Sequence, residues 1–190
     1  MRKIISKKED KKKNRRTQFI VGVLLILIMG LSTVGYSLNK QEDNSEKIIY
    51  KDIEFVRENN LWNANIGNFQ FGFLYNPTET EKIESTLNYL NEYDNQPLYI
   101  YSENSDAMME IYRNLFYYNK IIERIQEACP EGKICDDEIP VKNCTNNFII
   151  IQKAEVSEVR QEENCVFISG KDEELGKITD GFLFKILGIQ

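Results

Sequence analysis

The sequence predicts an α/β or α+β fold: a mixed β-sheet with about three helices, preceded by one N-terminal transmembrane helix. Three observations lead there. An uncharged apolar block follows a basic start. From Ile48 to Pro77 apolar and polar side chains alternate over much of the stretch, as in half-buried strands. Beyond it, helical and strand patterns take turns, and a strand–helix–strand unit over 97–152 implies a right-handed parallel crossover.

The basic start, MRKIISKKEDKKKNRR, holds nine Lys/Arg and two Asp/Glu, a net of +7 over residues 1–16. Residues 17–38 carry no charge, so residues 39–190 must carry −13 to give the whole-chain −6. The block FIVGVLLILIMGLSTVGYSL has no polar stripe to present to water. Twenty residues at about 1.5 Å each span about 30 Å, the thickness of bilayer hydrocarbon. A cleavable signal peptide competes with an anchor here, since Gly35 and Ser37 satisfy a small-residue rule before Leu38. Yet the apolar run exceeds the roughly 7–15 residues of a signal-peptide core, which favours an uncleaved anchor. Lysines and arginines crowd the side before the span, while NKQEDNSEK follows it with two Lys and three acidic residues. The expected order is therefore a cytoplasmic tail (1–18), a transmembrane helix (19–38), a linker (39–47) and an exported globular domain (48–190). The expected location is the cell membrane, single-pass. The lipid bilayer is the first partner this implies, and the tail adds attraction to anionic lipid. Nucleic acid is not expected as a partner, because the tail has no aromatic residue to stack a base.

Within the domain, residues 48–77 predict two or three antiparallel strands with turns near 58–60 and 66–69. The single Trp62 falls there and is expected in the core. Thr78 with Glu81 forms a capping-box pattern after Pro77, and Ile83, Leu87 and Leu90 line one face of the helix it would start. PLYIYS (97–102) predicts a buried strand. Ser105 or Asp106 would cap a helix over 106–128, with Met108, Ile111, Leu115, Tyr118, Ile122 and Ile125 as its stripe. Tyr112, Tyr117 and Tyr118 are expected mainly in the core. Strands follow at 148–152 and 165–169. A last helix presents Leu175, Ile178, Phe182, Ile186 and Ile189 on one side.

All four cysteines, Cys129, Cys135, Cys144 and Cys165, lie in the exported part, where thiols oxidise. Their spacings of five, eight and twenty intervening residues lack the close pairs of a zinc site, and no C-x-x-C is present. Two disulfides are expected. Pro130, Glu131 and Gly132 suit a type I turn that folds Cys129 back onto Cys135. That leaves Cys144 with Cys165. Each stands just before or at the start of an apolar run, so their pairing requires the two runs to lie parallel.

The chain has no histidine, which excludes Ser-His-Asp and Cys-His catalysis and histidine-based metal sites. GKDEELGK (170–177) has the wrong spacing for a phosphate loop and Ile178 where Ser or Thr is needed, so an acid-rich helix start is expected. Asp136, Asp137 and Glu138 lack calcium-loop spacing and are expected as a solvated loop. Asn143 heads the sequence NCT, an N-glycosylation acceptor pattern, and is the candidate modification site. No cofactor and no metal is expected.

Taken together, EACPEGKICDDEIPVKNCTNNFIII, ENCVFISG and the terminal FLFKILGIQ resemble uncharacterised short single-pass membrane-anchored proteins of archaea. The resemblance covers most of the exported part. It implies an exterior location and carries no activity with it. The function expected is a binding or scaffold module at the cell surface, with an envelope protein or glycan as partner. The alternatives are a histidine-free envelope hydrolase or transferase using carboxylates or Ser/Lys, and a membrane-surface role of the basic tail.

Overall fold

The computed structural model describes residues 17–30 and 45–190. Chain contacts divide the protein into Met1–Asn44 and Ser45–Gln190. In the first unit, residues 17–30 form a helix (α1) whose side chains are almost all exposed. Residues 31–38 of the expected span, with most of the tail and linker, lie outside the described residues. Among the described residues no helix is long and apolar enough to cross a membrane.

The second unit combines helices with mixed sheets. It opens with a four-stranded antiparallel meander: β1 (Lys47–Tyr50), β2 (Ile53–Glu58), β3 (Leu61–Ile66) and β4 (Phe69–Phe73). Its first two turns, Lys51-Asp52 and Asn59-Asn60, hold both central residues at positive φ, the type I′ geometry that matches strand twist. The sequence predicts fewer strands because Lys51-Asp52 carries no glycine or asparagine to announce a turn.

A five-stranded sheet follows, ordered β10-β11-β9-β5-β6. Its strands are β5 (Pro97–Ser102), β6 (Arg124–Glu127), β9 (Phe148–Lys153), β10 (Glu158–Glu162) and β11 (Cys165–Gly170). All neighbours are parallel except β10, which runs antiparallel to β11. The chain leaves β9, passes the far end of β11 to make β10, then returns to place β11 in the gap. Ala154 N donates to Gly170 O (2.8 Å) at that passage. Two short parallel strands, β7 (Cys129–Pro130) and β8 (Val141–Lys142), complete the set.

Helix α2 (Ser105–Ile111) continues into a π-helical turn, Tyr112–Tyr117. Helix α3 (Leu175–Ile186) is central. Only Lys177, Ile178 and Lys185 of its residues escape burial, as expected of a helix covered on all sides. Phe184 packs against Phe73 and Phe55 of the meander (ring centroids 4.5 and 6.0 Å). Leu175 and Phe182 share the same core with Ile149, Ile151, Val166 and Ile168 of the five-stranded sheet. The opposite face of that sheet carries a smaller cluster of Tyr99, Phe148, Ile150 and Cys165 under the cysteine loop.

Two expected helices are corrected. Residues 78–89 are not helical, and only Leu90–Tyr93 makes a 3-10 turn. The capping exchange is two residues earlier: Asn76 N donates to Glu79 Oε2, and Asn76 Oδ1 accepts from Thr78 N (2.8 and 2.9 Å). The chain then runs extended beside β10, where Ser85 Oγ donates to Val159 O and Asn88 N to Gln161 Oε1. A spacing of four from Ile83 to Leu87 fits a helix face and alternation alike, and Ser85 between them settles it. The helix expected over 106–128 ends at Tyr117. Asn104, not Ser105 or Asp106, caps it through Ala107 N (2.9 Å). Lys120 then takes φ 48°, and Arg124–Glu127 is a strand.

Candidate functional site

The α2–π segment organises the most distinctive surface. A π turn places residues five apart above one another, and Asn114 and Asn119 both reach the edge of β4. Asn114 Oδ1 accepts from Gly72 N and its Nδ2 donates to Gly72 O (2.8 and 2.9 Å). Asn119 does the same to Gln70 (3.0 and 2.8 Å). Residues 70 and 72 present their backbone groups on the same edge, two apart, so the two amides imitate a neighbouring strand. This satisfies an edge that would otherwise be open to pairing. A Cβ at Gly72 would stand 3.2 Å from Asn63 Oδ1 and Tyr118 Cε2, so those two side chains would have to give by a few tenths of an ångström.

With Asn114 and Leu115 turned inward, the same segment turns its aromatic residues out. Tyr117 is 66% exposed, Met109 49% and Tyr118 41%. This corrects the core placement expected for Tyr117 and Tyr118: the helix changes from α to π at Tyr112, and Tyr118 no longer falls on the buried stripe. Tyr112, half-buried, ties the strip together through Phe116 and Tyr117 (centroids 5.5 and 6.3 Å), and Tyr118 adjoins Tyr117 (5.6 Å).

Beneath the strip lies a buried carboxyl pair. Glu110 on α2 and Asp180 on α3 are both 0% exposed and lie close enough for each to shift the other's titration. Arg113 Nη1 donates to Glu110 Oε1 (2.7 Å) and to Gly72 O (3.1 Å). Tyr75 N donates to Asp180 Oδ2 (2.8 Å). Glu110 Oε2 and Asp180 Oδ1 are buried without a hydrogen-bond partner. Burial pushes the Glu110 carboxyl up, against the pull of Asp180 and Arg113. Burial and then the charge of Glu110 push Asp180 well above the usual carboxylate range. A single proton shared between the two would satisfy both orphan oxygens and leave one negative charge opposite Arg113. Neither residue was singled out from sequence, although Asp180 interrupts an otherwise apolar helix face in ITDGFLFKI.

The four cysteines form two disulfides, Cys129–Cys135 and Cys144–Cys165, with Cα–Cα separations of 6.0 and 4.8 Å. The turn in the first loop is displaced by one residue from the expected one. Lys133 N donates to Pro130 O and Gly132 takes φ 86°, which is type II. Lys133 then lies over the Tyr101 ring (4.4 Å) and pairs with Glu103 (2.9 Å). Hydrogen bonds from Lys133 and from Lys153 N hold the Glu103 carboxyl below its ordinary value. Lys142 similarly covers Tyr99, and Arg160 covers Phe167.

Asn143 is exposed, with its Oδ1 taken by Thr145 N and Oγ1 (3.2 and 2.8 Å). Asp136, Asp137 and Glu138 are exposed. Among the described residues no group of acidic residues or cysteines is placed to hold a metal ion. A cleft of about 300 Å³ lies between the extended 81–84 segment and β10, lined by Ile83, Ser157, Val159, Glu174, Lys177 and Ile178. Ser157 Oγ there donates to Glu174 Oε2 (3.1 Å). Compared with known proteins, the chain matches no family model, no curated protein and no solved structure.

Proposed function

We propose that this chain is a membrane-anchored exported domain that acts as a binding module at the cell surface, taking an envelope protein or glycan as its partner. The observation that carries this is the outward strip of Tyr117, Tyr118 and Met109 on a rigidly seated segment. Tyrosine offers a large contact area with little rotamer freedom to lose, which suits recognition. The two disulfides support an oxidising exterior, in line with the charge asymmetry of the chain. A carboxylate enzyme finds less support: the two acids with raised pKa are sealed from any substrate.

Two measurements test the proposal. Protease added to intact cells should digest the domain and spare the tail; a protected domain would remove the exterior assignment. A photo-crosslinker at position 117 of the full chain, on intact cells, should yield one discrete adduct that Tyr118→Ala weakens. Adducts no different from those at the exposed Glu155 would remove the binding face.

A further inference from the structure

We infer that a proton shared between Glu110 and Asp180 is the fastening of a pH-sensitive joint that holds α2 and its π turn onto α3. The geometry is specific. The two carboxyls come from different, contacting helices, both are fully buried, and each leaves one buried oxygen without a hydrogen-bond partner. A buried carboxyl oxygen without a partner is costly, and a carboxyl facing a carboxylate removes that cost only while the proton is present. From the π turn the pair also meets Arg113. From the chain after β4 it meets the backbone N–H groups of Leu74 and Tyr75. One guanidinium balances one negative charge. Loss of the proton puts a second negative charge in the same closed space, with no second cation among these groups, and drives the helices apart.

The sign follows from the direction of the shifts. Both carboxyls are raised above their unfolded values. Their contribution is fully present below about pH 4, the unfolded range, and is lost as the pH rises through the folded values. The joint therefore tightens in acid and loosens toward neutral and alkaline pH. Because Tyr112, Tyr117 and Tyr118 ride on the π turn, their seating follows the same proton. The joint acts on the fold itself and does not depend on what the strip binds.

Hydrogen exchange on the purified full chain, corrected for the intrinsic pH dependence of exchange, reads it directly. Opening of the α2 and π-turn amides should increase with pH, by at most about tenfold per unit, the limit for one linked proton. Asp180→Asn keeps a neutral donor toward Glu110 and should flatten that slope. Equal slopes in the two proteins would overturn the inference. Should the variant not fold, infrared spectra of the unaltered protein decide: a protonated-carboxyl carbonyl band at neutral pH is expected. Its absence would overturn the inference on its own.

Discussion

Asn114 shows how much one side chain can hold. Its amide closes both backbone groups of Gly72, and its Nδ2 also reaches Glu110 O, all in a fully buried setting. Asn114→Ala leaves those groups unsatisfied and should cost about 3 kcal/mol by chemical denaturation, since each buried orphan costs about 1–3 kcal/mol. Asn119→Ala, nearer the surface, should cost about 1 kcal/mol, because water can replace it. Asn114→Asp is the sharper test: it keeps the acceptor, loses the donor, and adds a charge beside Glu110. It should be at least as damaging as alanine. Little of this was legible beforehand. An asparagine at that position reads as an ordinary polar residue on a helix, and only the π turn reveals its partner on β4. The same holds for Glu110 and Asp180, whose meeting depends on two helices far apart in sequence. The Pro-Glu-Gly turn was legible because proline and glycine act locally, although its register was not.

At the scale of elements, sequence patterns served best where one period alone could explain them. The parallel pairing of β9 with β11 follows from two apolar runs and a cysteine before or at the start of each, and the register sets Cys165 opposite Phe148. Helix α3 was legible from its apolar spacing, but not its central position, which needs both sheets. Phe182 is fully buried there, so Phe182→Ala should cost about 3–5 kcal/mol in a thermal melt, the range for removing a buried aromatic ring. An unchanged melting temperature would mean that α3 is not the core helix. Strand β10 was missed because Val159 is its one apolar residue among Glu158, Arg160, Gln161 and Glu162. Its identity comes from pairing, not composition. The helix expected after Pro77 failed for the converse reason: a good local signal was overridden by contacts with β10 and α3.

For the whole molecule, the broad class was legible and the layering was not. Composition and alternation indicate helices with mixed strands, whereas a buried helix shared by a meander and a five-stranded sheet is a long-range arrangement. The two disulfides should contribute unequally. The Cys144–Cys165 link closes the longer stretch and should contribute about 3 kcal/mol in the chain-entropy account, against less for Cys129–Cys135. Reductant should lower the melting temperature, and Cys165→Ser should reproduce most of the drop; an equal loss from Cys135→Ser would contradict this. The strand order β10-β11-β9 also dictates a timetable. Strands β9 and β10 are synthesised first yet cannot touch, because the place between them is reserved for β11. If the chain is threaded outward from its anchor, the sheet stays gapped until β11 has emerged. Until then β10 has only the extended segment around Ser85 and Asn88 beside it, and Cys144 waits as a bare thiol while Cys129 and Cys135 are already able to close. In that order Cys129 and Cys135 can close before Cys144 and Cys165 are both present, which favours the two native links.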